Sequence, residues 1–284
     1  MEATATAPAA GTIINALATG TGAAFAIEEY TTATVRLGGS TVTGEVAGED
    51  DPDTTLIERC LERVTARFGD GQGGHVRTES EVPMAAGLKS SSAAANATVL
   101  ATLAALGVDR ERVSRETAAR IGVAAARDAG VTITGAFDDA SASMLGGVTV
   151  TDNAEDALLA RAERSWDVLV WTPPERAYSA AADGERCRRV AGPVETATEL
   201  AREGAFARAM TVNGLAYCAA LEYPTEPLVE AMDEAAGVSL SGTGPSVTAV
   251  GDRAALEPVA ERWRARPGRA WLTETQTAGA EVVA

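Results

Sequence analysis

Lysine is all but missing from this chain. Lys89 is the only one, and every other basic side chain is arginine. Histidine is as scarce. His75 stands alone, which excludes any mechanism needing two histidines and makes a Ser-His-Asp triad a poor fit. It follows Gly73-Gly74 at the start of a strand-like stretch and is read as a solvated loop residue. The cysteines, Cys60, Cys187 and Cys218, are scattered with no C-x-x-C spacing, so neither structural zinc nor a disulfide framework is expected. No apolar run is long enough to cross a bilayer, because Arg, Asp, Gly and Thr interrupt the alanine-rich stretches. Residues 1–10 are small and polar and lack a basic segment. A secretory signal is therefore not expected, and the cytoplasm is the default location.

What the chain has in excess is acid. Its formal net charge is -16, spread along all 284 residues. An acidic surface repels nucleic acid and anionic lipid, so neither is an expected partner. Carboxylates keep a protein soluble better than ammonium groups do, and concentrated salt screens their repulsion to within a few ångström. The pattern fits adaptation to high salt. It leads us to expect a haloarchaeal or similar source and a fold that weakens when salt is removed. Hydrophobic residues make up 46% of the chain, enough for one large or two modest domains.

Periodicity predicts strands over 32–37 and 41–46, separated by a turn at Gly38-Gly39, and a helix over 53–68 with Leu56, Cys60, Leu61 and Val64 on one face. A strand is expected over 75–82. Val99, Leu100, Leu103 and Leu106 form the stripe of another helix that closes at Gly107, and a further helix follows over 112–126. A β-like run from Thr132 then leads to a hairpin-like segment over 144–150. Residues 152–164 are charged and read as loop or helix. Beyond them come a strand over 166–171, a long helical region over 195–221 broken at Gly204 and Gly214, and strand, tight loop and strand over 238–250. A helix over 258–264 and a strand over 270–275 close the chain. This mixed order argues for α+β, divided near residue 163 into segments 1–163 and 164–284.

The lone lysine sits in an unusual loop. Pro83-Met84-Ala85-Ala86-Gly87-Leu88-Lys89-Ser90-Ser91-Ser92-Ala93 runs straight into a helix and so exposes backbone N–H groups at a helix N-terminus. Amides from Gly87 to Ser92 could wrap a polyphosphate, Lys89 could neutralise its oxygens, and a serine hydroxyl could reach Mg2+. The plain alternative is a serine-rich helix cap. Other nucleotide signatures are absent. The Lys89-Ser90 pair lacks the preceding glycine of a P-loop, Gly20-Thr21-Gly22 and Gly242-Thr243-Gly244 lack the third Rossmann glycine, and no protein-kinase motif occurs. Asp138-Asp139, among small residues, offers a carboxylate for phosphoryl transfer, unless it is a surface pair in a turn. The glycines of the segment 239–247 allow close backbone approach, or simply a hairpin turn.

Together these segments resemble the GHMP kinase superfamily, in the right order and over nearly the whole chain. Residues 83–93 match its phosphate loop, 241–246 match its third motif, and 138–147 resemble the segment carrying its catalytic aspartate. Within it, the closest likeness is to archaeal shikimate kinases. Three stretches carry that likeness: residues 12–20, residues 87–93, and Thr134-Gly135-Ala136-Phe137-Asp138-Asp139-Ala140-Ser141. The resemblance implies an N-terminal domain like the second domain of ribosomal protein S5, a ferredoxin-like C-terminal domain, and ATP with Mg2+ between them. It implies phosphorylation of shikimate on the route to chorismate and aromatic amino acids. Other superfamily kinases acting on homoserine or mevalonate, or a non-catalytic binding protein of the same fold, are the alternatives.

By the same resemblance, Pro83, Ala85, Ala86, Gly87, Leu88, Lys89, Ser90, Ser91, Ser92 and Ala93 would hold the nucleotide, with Ser91 on Mg2+. Asp139 would be the catalytic carboxylate with Asp138 its close rival, and Lys89 would assist. Asn15, Thr19, Gly20, Gly242, Thr243 and Gly244 would line the acceptor site. Relatives often carry a lysine where this chain has Thr21, so that cation's role is not carried over. Arg36, Arg77 and Arg188 are three candidates for the substrate carboxylate, since guanidinium binds carboxylate in a bidentate manner.

Overall fold

Two long antiparallel strands dominate the first half of the chain. The computed structural model describes residues 1–175, 177 and 182–283. Strand β1 (Glu2–Ile14) pairs along its length with β2 (Thr21–Leu37), and residues 15–20 form the loop between them. Alanines and β-branched residues suit this: burial alternates at the outer ends of the two strands, and residues 7–14 and 22–27 are buried throughout. Gly22 therefore lies inside a 17-residue strand, far longer than the strand expected over 32–37.

Strand β2 is shared by two sets of partners. Residues 31–37 pair with β4 (Gly74–Ser80), which carries β3 (Val42–Val46) in parallel on its outer side. Residues 21–25 pair with β5 (Val148–Asp152), which carries β6 (Ala157–Ala162). The segment expected to be loop or helix is thus an edge strand, and half of its residues are exposed. Helices α1 (Thr55–Phe68), α2 (Ser90–Ala105), α3 (Arg115–Asp128) and α4 (Phe137–Leu145) belong to this half. Helix α2 is built largely of alanine and packs against both β1 and β2. Its small side chains let its backbone approach the sheet closely.

The second sheet has the order β10-β7-β9-β8, with every pairing antiparallel. Its strands are β7 (Asp167–Thr172), β8 (Gly237–Leu240), β9 (Val247–Gly251) and β10 (Arg269–Glu274). Helices α5 (Gly184–Arg188), α6 (Ala191–Arg202), α7 (Phe206–Leu221) and α8 (Glu226–Ala231) connect β7 to β8, and α9 (Arg253–Arg264) connects β9 to β10. Numbered from β7, this is the 4-1-3-2 order of a ferredoxin-like fold, as expected. The expected helix over 195–221 is broken once, at left-handed Gly204. Gly214 does not break it: it lies inside α7, where a Cβ would come 2.6 Å from Ser239 Cα, so glycine is there for close helix–strand packing.

The chain leaves the first sheet after Ala162 and enters the second at Asp167. After β10 it returns, and β11 (Glu281–Val282) pairs with β1. The two sheets are therefore crossed twice by the backbone, and the loop after β1 meets α7 of the second half.

Candidate active site

The loop ahead of α2 alternates its backbone handedness. Ala85, Gly87 and Lys89 all have positive φ (54°, 80° and 64°), and the residues between them do not. Its carbonyls are turned into the protein. Ala86 O accepts from Ser246 N at 3.2 Å, Gly87 O from Ser241 Oγ at 2.8 Å, and Leu88 O from Ala10 N at 3.2 Å. Ala85 O accepts from Ala177 N at 2.9 Å. With its carbonyls committed, such a loop presents its amides on the opposite side, which makes a nest for an anion. Lys89 is the N-cap of α2 and gives no side-chain cap, so the amides of Ser90, Ser91 and Ser92 add the positive end of a helix. Ser91 is exposed, Ser90 and Ser92 are half-buried, Pro83 is exposed at the start of the loop, and Leu88 and Ala93 are buried beneath it.

Asp138 and Asp139 stand in the first turn of α4, not between a β-run and a hairpin. Left-handed Gly135 and Ala136 turn the chain into that helix, where acidic residues are favoured. The two carboxylates differ sharply. Asp138 is 5% exposed and faces β2. A Cβ on Gly22 would lie 2.6 Å from its side chain, so Gly22 is what makes room for it. Its Oδ1 accepts from Asn153 Nδ2 at 2.7 Å. Asp139 faces the phosphate loop instead, with Oδ1 3.0 Å from Lys89 Nζ. Both side chains of that ion pair are largely buried, and Oδ1 has no aligned hydrogen-bond donor among the described residues. Burial, together with the neighbouring charge of Asp138, pushes the Asp139 carboxyl up to about 7, while Lys89 pulls the other way. Asp139 thus faces the phosphate loop, and Asp138 braces the first turn of α4.

The third motif closes over this pair. Gly242 donates its N–H to Thr12 Oγ1 at 2.8 Å, and its carbonyl accepts from Asn15 Nδ2 at 2.8 Å. A Cβ on Gly242 would sit 2.7 Å from Lys89 Nζ, so only glycine leaves the ammonium its place. Thr243 is buried beside it, and left-handed Gly244 packs against the Tyr223 ring. In the loop 15–20, both ends of the Asn15 side-chain amide are engaged within the protein, while Gly20 faces open space. Thr19 Oγ1 is buried and has no hydrogen-bond partner among the described residues.

Two of the expected carboxylate binders are elsewhere. Arg36 lies 14 residues beyond Gly22 on β2, a span of about 45 Å at the rise of an extended strand, and is tied to Glu2. Arg77, on the neighbouring strand opposite Thr34, is engaged by Glu45 and Glu79. Arg188 is exposed on α5, next to buried Cys187. The sequence reading missed three residues that shape the site, Asn153, Asn213 and Tyr217. Asn213 and Tyr217 signalled themselves only as polar groups in an otherwise apolar helix, and Asn153, in the polar stretch Thr151-Asp152-Asn153, gave no signal at all.

Among the described residues, no group of three or more His, Cys, Asp or Glu could hold a metal ion. Mg2+ is commonly held mainly by phosphate oxygens with few protein ligands, and the exposed Ser91 leaves a hydroxyl free at the start of α2. Among the described residues no helix is long and apolar enough to cross a membrane.

Two family models match this chain. The family model for the GHMP kinases N-terminal domain matches residues 55–147, and that for the GHMP kinases C-terminal region matches residues 196–269. A protein named shikimate kinase from Halobacterium salinarum is 64% identical over 99% of this chain and 99% of its own length. Another of that name from Methanocella arvoryzae is 47% identical over 99% of this chain and 96% of its own. Among solved structures, a homoserine kinase from Cytophaga hutchinsonii superposes with a TM-score of 0.74 over 99% of this chain and 97% of that one. At 17% identity, that likeness speaks for the fold alone.

Proposed function

Since the chain belongs to the GHMP kinases, we propose that it transfers the γ-phosphoryl group of ATP to the 3-hydroxyl of shikimate, giving shikimate 3-phosphate and ADP. Near-full-length identity to archaeal proteins named shikimate kinase supports the acceptor. The observation that carries the chemistry is the Lys89–Asp139 contact, which joins the phosphate loop to the carboxylate across 3.0 Å. Any group transferred from the nest to an acceptor beside Asp139 crosses that short gap.

Residues 87–92 hold the ATP phosphates through main-chain amides. Pro83, Ala85 and Ala86 shape the loop, and Leu88 and Ala93 anchor it. Asp139 receives or orients the acceptor hydroxyl, and its raised proton affinity suits it to take the proton. A loose transition state asks little base strength, so positioning is the larger part of its task. Lys89 lies where it can follow negative charge from the phosphate to the acceptor side. A magnesium ion bound with ATP, on Ser91, would neutralise charge on the phosphate oxygens. Asn15, Thr19, Gly20, Gly242, Thr243 and Gly244 frame the acceptor, and Arg188 is the remaining candidate of the three for its carboxylate. The reading also includes two functional domains divided near residue 163, work in the cytoplasm, and a high-salt setting.

The test is ATP consumption with shikimate, homoserine and mevalonate as separate acceptors. Turnover with shikimate alone is expected. Turnover with homoserine or mevalonate and none with shikimate would overturn the assignment.

A further inference from the structure

Helix α7 of the second half grips the acceptor loop of the first. Asn15 N donates to Asn213 Oδ1 at 3.0 Å. The Tyr217 hydroxyl donates to Asn15 O at 2.8 Å and accepts from Ala18 N at 2.9 Å. Asn213 and Tyr217 are four residues apart on α7, so one face of that helix presents both. Each is fully buried. The Asn213 amide is fixed from behind by donation to Ser239 Oγ at 3.2 Å. Burial pushes the Tyr217 hydroxyl well above its usual range, so it stays a neutral group that both donates and accepts.

The other end of the loop is pinned separately, where Gly20 O accepts from Asn153 N at 2.9 Å. Between these pins lies Thr19, whose buried side-chain oxygen has no hydrogen-bond partner among the described residues. Buried hydroxyls are ordinarily hydrogen-bonded, so an orphan beside an open glycine calls for a partner from outside the chain. We propose that Asn213 and Tyr217 are positioning residues for the acceptor: they hold the loop so that the Thr19 hydroxyl meets a hydroxyl of the polyhydroxylated acid. The proposal rests on the shikimate kinase reading for the identity of that acid. None of the hydrogen bonds from α7 to the loop involves residues 83–92, so acceptor binding and nucleotide binding separate.

The experiment compares Tyr217→Phe, Asn213→Ala and Thr19→Val with Cys218→Ala, a buried change on the same helix whose side chain makes none of these hydrogen bonds. Shikimate and ADP affinities are measured by calorimetry, KM and kcat by steady-state assay, and folding by thermal melts. Tyr217→Phe, Asn213→Ala and Thr19→Val should each raise the shikimate Kd and KM about tenfold, the scale of one lost hydrogen bond, and leave ADP affinity within about twofold. Thr19→Ser should restore binding. Tyr217→Phe added to Thr19→Val should cost little more than Thr19→Val alone, because both act through one contact. Cys218→Ala should lower the melting temperature and keep the wild-type KM. Unchanged shikimate binding in Tyr217→Phe and Asn213→Ala would overturn the proposal, as would an equal rise in Cys218→Ala. If the wild type phosphorylates a different acid, the functional reading falls, and the same variants test the loop with that acid.

Discussion

Asn153 holds Asp138 with both ends of its amide: Nδ2 donates to Asp138 Oδ1 at 2.7 Å, and Oδ1 accepts from Asp138 N at 3.1 Å. Thr151 Oγ1 also donates to Asn153 Oδ1 at 2.7 Å, which fixes the amide from the strand side. One side chain on the turn after β5 thus sets the first turn of α4, and with it the direction of Asp139. Asn153→Ala leaves a buried carboxylate and a buried N–H without partners. Unfolding in urea should show a loss of about 3 kcal/mol, the scale of a deleted hydrogen bond to a charge plus a buried N–H left unsatisfied. The rate constant kcat should fall as well. Wild-type stability in this variant would remove Asn153 from the account.

The two aspartates should separate in their response to pH. Asp139 can take a proton only when ionised, and its carboxyl is raised to about 7. The rate should therefore climb with pH up to about 7 and level off above it. Asp139→Asn should lose at least a hundredfold in kcat, along with the acid limb, and should still bind ADP. Asp138→Asn should be the milder change in kcat. Lys89→Met removes the charge that opposes the rise, so the acid limb should move to higher pH. The stability effect has the matching sign. A carboxyl whose folded pKa exceeds its unfolded value stabilises below about pH 4 and loses that contribution as pH rises through about 7. Melts of Asp139→Asn against the wild type should thus improve, relative to one another, from pH 4 to pH 8.

Much of this site was legible because it is written in consecutive residues. The small-residue loop with its single lysine, the Asp pair and the Gly242-Thr243-Gly244 turn each announce themselves locally. The structure adds that Gly242 abuts Lys89 and that Lys89 reaches Asp139. The helix around the Asp pair was not legible. Gly135 and Ala136 look like loop or strand residues until their left-handed turn is seen to start α4. Strand β6 was misread because Ala157-Leu158-Leu159-Ala160-Arg161-Ala162 has helical propensity, and its pairing with β5 overrides that preference. Asn153, Asn213 and Tyr217 were invisible for a deeper reason. Their partners lie 15, 198 and 202 residues away, and no local pattern encodes such contacts. The arginines show the converse. Arg36 and Arg77 had the right chemistry, but strand geometry carried them to the far end of the sheet.

Gly87 gives a test of the phosphate loop that spares every charged group. Its φ is 80°, and an added Cβ would fall 2.3 Å from Ser241 O. Gly87→Ala must therefore distort either the loop or the third motif packed against it. A loss of about 1–3 kcal/mol in folding stability is expected from the strained backbone. ADP affinity should fall at least tenfold, since the amides would no longer converge. Gly38→Ala is the control, because that position has open space and no positive φ. It should stay within about 0.5 kcal/mol of wild type. Unchanged ADP binding in Gly87→Ala would mean that the loop does not hold the nucleotide.

The charge excess makes a prediction about salt that divides fold from site. Most ion pairs here are exposed, such as Arg36–Glu2 and Arg59–Glu62, and pairs of that kind add little to stability. The excess acid remains as mutual repulsion over the surface. Raising KCl from about 0.1 M to about 1 M shortens the screening length from roughly 10 Å to roughly 3 Å, so the melting temperature should rise across that range. The Lys89–Asp139 pair is shielded from solvent, its side chains only 8% and 13% exposed, and added salt reaches it poorly. Once the protein is folded, kcat should therefore depend on KCl much less than the melting temperature does. A melting temperature indifferent to KCl would end the high-salt reading. A kcat that tracked salt as steeply as stability would mean that the Lys89–Asp139 pair is exposed to solvent during turnover.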